Sequence, residues 1–225
     1  MRQLAPNLWV AERPLKLPVG DIGTRMTIIR LADGGLFLHS PVRLDADTRQ
    51  TLDQLGPVRA VVAPSKVHHF FVGDYVAAYP TARIFGAPGL AEKRRDLAFH
   101  HMLSDDAPAA WREEIAQHVF RGAPLMNEVV FFHAPTRTLL LTDLAFNVQA
   151  HAPADARARL FYWLVGAAGR FGPHRLVRLG MRDKRAARAS VDKILEWDFD
   201  RIIVTHGAVL ETGGHARFTA AFAFL

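Results

Sequence analysis

Hydrophobic positions in this chain fall into short β-branched runs set off by turn signals, with longer helical periodicities between them. Leu8-Trp9-Val10 reads as a first strand, followed by a loop rich in Pro14, Pro18, Gly20 and Gly23. Residues 26–31 and 36–39 flank Asp33-Gly34-Gly35, a strong hairpin signal. Asp45 or Asp47 caps a helix that runs to Leu55 and stops at Gly56-Pro57. Residues 58–62 form a buried strand that Pro64 ends, because proline has no N–H for a sheet ladder. A short helix to Tyr79, a strand near Ile84 and a helix over residues 88–96 come next.

Residues 100–108 read as irregular and residues 111–117 as helical, with Val119-Phe120 as a strand. A second hairpin pairs residues 128–133 with 138–142. Residues 155–170 predict a helix whose apolar face, through Leu160, Phe161, Trp163, Leu164 and Ala168, packs on the core. A basic helix over residues 182–197 turns Ile194, Leu195 and Trp197 inward, residues 201–205 make the last strand, and 214–225 a closing helix. Hairpin-rich strand groups with helices between and after them suit a layered α/β core of sheet on sheet, covered by helices.

At 225 residues the chain suits a single domain over 1–225 with a sizeable core. It contains no cysteine, which excludes disulfides, thiolate metal sites and cysteine nucleophiles and fits a cytoplasmic location. The longest apolar run, residues 160–168, is far short of the about 20 residues of a membrane span, so no membrane partner is expected. The net charge of +6 concentrates late, from Arg157 to Arg188. Such a patch attracts anions, but no nucleic-acid motif accompanies it and solvated helix faces account for it. No Gly-x-Ser-x-Gly elbow and no Gly-x-Gly-x-x-Gly or Walker-type loop is present, so neither a serine hydrolase nor a nucleotide cofactor is supported.

The candidate chemistry sits where apolar runs end. The strand at residues 58–62 leads to Lys66-Val67-His68-His69, the run at 138–142 to Asp143, and the run at 201–205 to His206; a fourth, Leu36-Phe37-Leu38, ends at His39. Imidazole and carboxylate are ligands that zinc, iron or manganese accept. Each alone reads as a hydrogen-bonded strand-end residue; together they point to a shared site. His133 lies at the far end of its hairpin, six strand residues or roughly 20 Å from Asp143, and is left out.

This order of motifs resembles the metallo-β-lactamase-fold superfamily, within it an uncharacterised branch. The superfamily loop Thr-His-x-His-x-Asp-His corresponds to Ser65-Lys66-Val67-His68-His69-Phe70-Phe71, where only His68 stands at a ligand position. Thr142-Asp143 keeps the bridging aspartate and His206 the final histidine; His39 stands about where an aspartate often follows the early strand. Gly122-Ala123-Pro124-Leu125-Met126 has no counterpart of the Pro-Gly-His histidine.

The resemblance implies a four-layer αββα sandwich of two mixed β-sheets. It implies a reduced metal site of His68, Asp143 and His206 for one divalent metal (zinc, iron or manganese), with Asp143 and His68 catalytic and Lys66, His39 and His69 beside the cofactor. The function implied is metal-dependent hydrolysis of an ester, thioester, lactone or phosphodiester. The alternative is an inactive, metal-free member that binds a small molecule or a protein in the old cleft. There the Lys66 ammonium replaces the metal's charge at Asp143, and Phe70 and Phe71 fill the emptied volume. The changed ligand positions favour a weak or absent metal.

Overall fold

Strand residues that are apolar at successive positions need cover on both faces, and the architecture supplies it. The computed structural model describes residues 1–149 and 155–225. In chain order the strands are β1 (Arg2–Ala5), β2 (Leu8–Arg13), β3 (Lys16–Leu17), β4 (Gly20–Asp21), β5 (Thr24–Arg30), β6 (Leu36–His39), β7 (Val58–Ala63), β8 (Arg83–Gly86) and β9 (His101–Met102). They continue with β10 (Ile115–Val119), β11 (Val129–His133), β12 (Thr138–Leu141), β13 (Phe146–Val148), β14 (Arg170–Gly172) and β15 (Arg201–Val204). The helices are α1 (Ala46–Leu55), α2 (Val72–Ala78), α3 (Leu90–Lys93), α4 (Ala156–Leu164), α5 (Arg175–Gly180), α6 (Lys184–Leu195) and α7 (Gly214–Phe222).

Two mixed sheets carry the fold. One runs in the order β1-β2-β5-β6-β7-β8-β9, the other β10-β11-β12-β15. Between them lie Phe37, Val62 and Phe85 from the first sheet and Phe131, Leu140 and Ile203 from the second. Trp111 closes this layer edge-on against Phe37 and Phe85, at 4.9 and 4.6 Å between ring centroids. The outer face of the first sheet, with Ile28, Leu38 and Val61, packs on Leu52 of α1 and Tyr75 of α2. The outer face of the second, with Val130, Leu139 and Ile202, packs on Val191 and Ile194 of α6 and Phe218 of α7. Each such side chain contributes about 1.5–3 kcal/mol on burial. The four layers are those the sequence predicts.

Local signals hold where the chemistry is local. Asp45 caps α1 by accepting from Thr48 N–H, and Gly56 ends it. The hairpin of β5 and β6 is in register around Asp33-Gly34-Gly35. Three readings change. Residues 111–114 form a turn and β10 follows, pairing with β11; the Trp111 indole N–H donates to Gln117 Oε1 at 3.1 Å, so tertiary contacts override helical periodicity. His101-Met102, inside the stretch read as irregular, pairs in parallel with β8. The helix read over 155–170 ends at Leu164, short of Gly166 and Gly169, both at positive φ, and its buried residues are Ala158 and Tyr162. Leu160, Trp163 and Leu164 face solvent instead.

Parallel pairing of β6 with β7, and of β12 with β15, sends the C-terminal ends of each pair the same way. The segments bearing His39, His68, Asp143 and His206 leave from those ends, which is where open α/β sheets present ligand sites.

Candidate metal centre

His68, Asp143 and His206 each offer a ligand atom, and these atoms lie within 4.8 Å of one another. His68 Nε2 is 3.3 Å from Asp143 Oδ2, His206 Nε2 is 3.4 Å from Asp143 Oδ1, and the two rings are 5.2 Å apart. All three residues are buried.

Each side chain is aimed by a second group. The Ser65 hydroxyl accepts from the N–H of Val67 and His68, tightening the loop after β7. His68 Nδ1 then meets Ser40 Oγ at 2.9 Å, leaving Nε2 toward Asp143. Ser40 sits at φ +56, an uncommon conformation for a residue with a Cβ and one found at functional sites. His206 Nδ1 donates to the Gly23 carbonyl at 2.8 Å, which leaves the Nε2 lone pair free, and its ring stacks on Phe146 at 5.0 Å. Asp143 stands on a loop pinned by Glu128, whose carboxylate accepts from the N–H of Thr142, Asp143 and Leu144 at 2.7–2.8 Å.

The charges follow from this packing. Burial works against ionising Asp143, yet His68 and His206 hold its pKa well below the usual carboxylate range. Burial also disfavours protonating His68, but Asp143, with Glu128 behind it, raises its pKa above the ordinary imidazole value. Burial and the Asp143 charge push Glu128 up to about 7, against the pull of its three N–H donors. Asp143 Oδ2 has no aligned hydrogen-bond partner among the described residues. A buried carboxylate whose two oxygens each face one imidazole nitrogen is a donor set that suits zinc or a similar cation.

The other sequence candidates lie around this centre. His39 is buried edge-on to Phe131, with neither ring nitrogen partnered among the described residues; burial and nearby His68 lower its pKa to about 3. His69 is buried, and Arg94 donates to its Nδ1 at 2.9 Å; burial and the cations Lys93 and Arg94 lower its pKa to about 4. The Lys66 ammonium lies 3.4 Å from where a Cβ on Gly89 would stand, and Lys66 is not among the ion-pair partners of Asp143. Phe70 is 54% exposed beside His69, and Phe71 lies under the Arg43 guanidinium, so neither fills the volume beside Asp143. His133, left out of the site, is held by Thr136 Oγ1 at 2.7 Å.

Three contributors escaped sequence reasoning. Glu128 opens a predicted strand and carries no motif. Arg25, buried in β5, donates to the carbonyls on either side of the Thr205-His206 pair, those of Val204 and Gly207, and pairs with Glu12. His174 caps α5, taking the Val177 N–H on Nδ1, and packs on Phe146 at 4.6 Å. A cavity of about 310 Å³ opens over Asp143, His174 and His206, with walls that include Met126, Phe161 and Leu176.

Two mixed sheets with outer helices, and a histidine–aspartate centre at their strand ends, define the metallo-β-lactamase fold. Solved structures bear this out over nearly the whole chain. A metallo-β-lactamase from Erythrobacter litoralis superposes with a TM-score of 0.69 at 15% identity, over 99% of this chain and 95% of that one. One from Hirschia baltica gives 0.64 at 14% identity (98% and 95%), and FIM-1 from Pseudomonas aeruginosa, in a mono-zinc form, 0.65 at 12% (99% and 93%). No curated protein matches the sequence. The family model for a domain of unknown function, DUF4336, matches residues 6–165, and the chain belongs to that family.

Proposed function

We infer that this chain is a metal-dependent hydrolase with one divalent metal held by His68, Asp143 and His206. The observation that carries the reading is the Asp143 carboxylate, buried and, among the described residues, paired with no lysine or arginine, between two Nε2 atoms aimed by Ser40 and Gly23. Bound there, the metal supplies Lewis acidity and activates water.

The chain's own residues do the rest. Glu128 keeps the Asp143 loop rigid through three backbone N–H groups, and Arg25 fixes the turn that bears His206. His174 accepts the Val177 N–H on Nδ1, so in its neutral form the proton sits on Nε2. That proton serves as a hydrogen-bond donor to a carbonyl or phosphoryl oxygen in the cavity. The apolar walls of Met126, Phe161 and Leu176 accept the apolar part of an ester, thioester, lactone or phosphodiester.

Elemental analysis of untagged protein dialysed against zinc tests the reading. One tightly held zinc per chain, lost in Asp143→Ala, and chelator-sensitive cleavage of a p-nitrophenyl ester or bis(p-nitrophenyl) phosphate are expected. Zinc content at the level of the Asp143→Ala variant would sink it.

A further inference from the structure

The helical stripe expected to pack on the core does so only through Phe161 and Ala168. On α4, Leu160, Trp163 and Leu164 recur at helical spacing and all face solvent, Trp163 at 68% exposure. On α5, Leu176 and Leu179 do the same, Leu179 at 78%. The two helices are neighbours: Arg175 donates its backbone N–H to the Val165 carbonyl at 2.8 Å and its guanidinium to the Leu164 carbonyl at 3.2 Å. Their apolar side chains therefore stand on adjoining elements, and large exposed apolar patches mark interaction surfaces.

The charge on this face is predominantly positive, with Asp155 at the α4 N-cap near Arg157 and Asp183 next to Arg182. Neither α4 nor α5 contains an aspartate or glutamate. Arg157, Arg170, Arg175 and Arg182 are exposed, and none is in ion-pair contact with a carboxylate of the described residues. A face of leucine and tryptophan set among Arg157, Arg170, Arg175 and Arg182 has the composition of a surface that lies in a lipid interface. An isologous dimer through the same face would set these arginines against their own copies, which disfavours a second chain as the occupant. The cavity over Asp143 and His206 is bordered by Phe161 of α4 and Leu176 of α5, so its wall is continuous with the patch.

We propose that the α4–α5 face docks on the surface of an anionic lipid bilayer, with Trp163, Leu164 and Leu179 in the headgroup region and the arginines on the phosphates. Spanning is not involved: no helix among the described residues is long and apolar enough to cross a membrane. Docked in this way, the Phe161–Leu176 wall of the cavity borders the bilayer, and the apolar part of an amphiphile reaches the site without crossing water.

Sedimentation of the full chain with phosphatidylcholine vesicles, with and without phosphatidylglycerol, tests this. Binding to the anionic vesicles alone is expected, weakening as salt is raised. Trp163→Ala should lower partitioning about tenfold or more, and Arg175→Gln or Arg182→Gln about fivefold each. Leu179→Glu should abolish binding at an unchanged melting temperature, since that side chain is exposed. Docking does not depend on the metal: Asp143→Asn should bind vesicles like the parent protein, so the two readings fail separately. No vesicle binding, equal binding to neutral vesicles, self-association or capture of an acidic protein abolished by Leu179→Glu without lipid binding would each overturn the proposal.

Discussion

Replacing Arg25 probes how the His206 end of the site is held. Its guanidinium is buried and donates to two backbone carbonyls, those of Val204 and Gly207, the latter at 2.5 Å; it also pairs with Glu12 at 2.7 Å. Glu12 is largely exposed and loses little when its partner goes. The carbonyls lose charged donors at about 1.5–3 kcal/mol each. Arg25→Ala should therefore lower the unfolding free energy by about 3–6 kcal/mol, toward the low end because water can reach Gly207. That is a large share of a typical total of about 5–15 kcal/mol. Urea unfolding should show a lower midpoint with an unchanged slope. Zinc affinity by calorimetry should fall about 10–100-fold, because the turn bearing His206 loosens while the ligands remain. Arg25→Lys should recover part of the stability, since one ammonium lacks the fork that serves two carbonyls and a carboxylate. A change in Arg25→Ala within about 0.5 kcal/mol of the parent protein, the range of a neutral surface substitution, would refute the clamp.

Gly207→Ala strains the same turn from the other side: φ is +96 and the added Cβ would stand 2.2 Å from the Asn147 carbonyl oxygen. It should cost several kcal/mol or prevent folding, read by thermal unfolding and soluble yield. Zinc affinity should fall as pH drops from about 8 to about 6, because protons compete for the imidazole ligands and the folded chain raises the His68 pKa; a flat profile by calorimetry counts against His68 as a ligand. Burial lowers the His133 pKa from 6.5 to about 4. The unfolded chain therefore takes up its proton first: the contribution is fully present above pH 6.5 and is lost as pH falls toward 4. The loss is about 3 kcal/mol, and His133→Gln should flatten denaturation midpoints over that window.

What the sequence made legible follows the range of the forces involved. Asp33-Gly34-Gly35 and the Asp45 cap act within a few residues, and both elements stand where the local pattern puts them. The strand ends were legible because a polar residue after a buried run must leave the sheet at its edge. Parallel pairing of β12 with β15, which brings Asp143 and His206 together, joins segments about sixty residues apart; the shared placement of these residues after buried runs pointed to a common site, and the resemblance implied the same set. Trp111 and Gln117 form a strand approach because of what they touch, not because of their spacing. Leu160, Trp163 and Leu164 of the α4 stripe have core periodicity and a solvent-facing position, since periodicity reports that one face is apolar and says nothing of what covers it. Glu128 and Arg25 work through backbone atoms of distant segments, contacts that leave no spacing in the sequence.

The braces around the centre bear on whether the altered loop has lost its purpose. Lys66, Phe70 and Phe71 stand at superfamily ligand positions and lie apart from Asp143, and residues 122–126 lack the Pro-Gly-His histidine, so the changes fall on two loops outside the strand ends. The part built on strand ends keeps a buried carboxylate, two imidazoles and a second carboxylate at Glu128. Each buried polar group costs stability unless it is matched, and buried ion pairs are commonly replaced by apolar residues at a gain. Phe71 shows that a bulky apolar residue is accommodated a few positions from His68. A centre serving packing alone would be better filled by such residues than by Asp143 with an unmatched oxygen, Ser40 at positive φ, and Glu128 pushed up to about 7. Those three features oppose stability, and they surround a point where two Nε2 atoms and a carboxylate lie within 4.8 Å of one another. A cation at that point, as proposed above, would offset the charge of Asp143 and with it part of that stability cost.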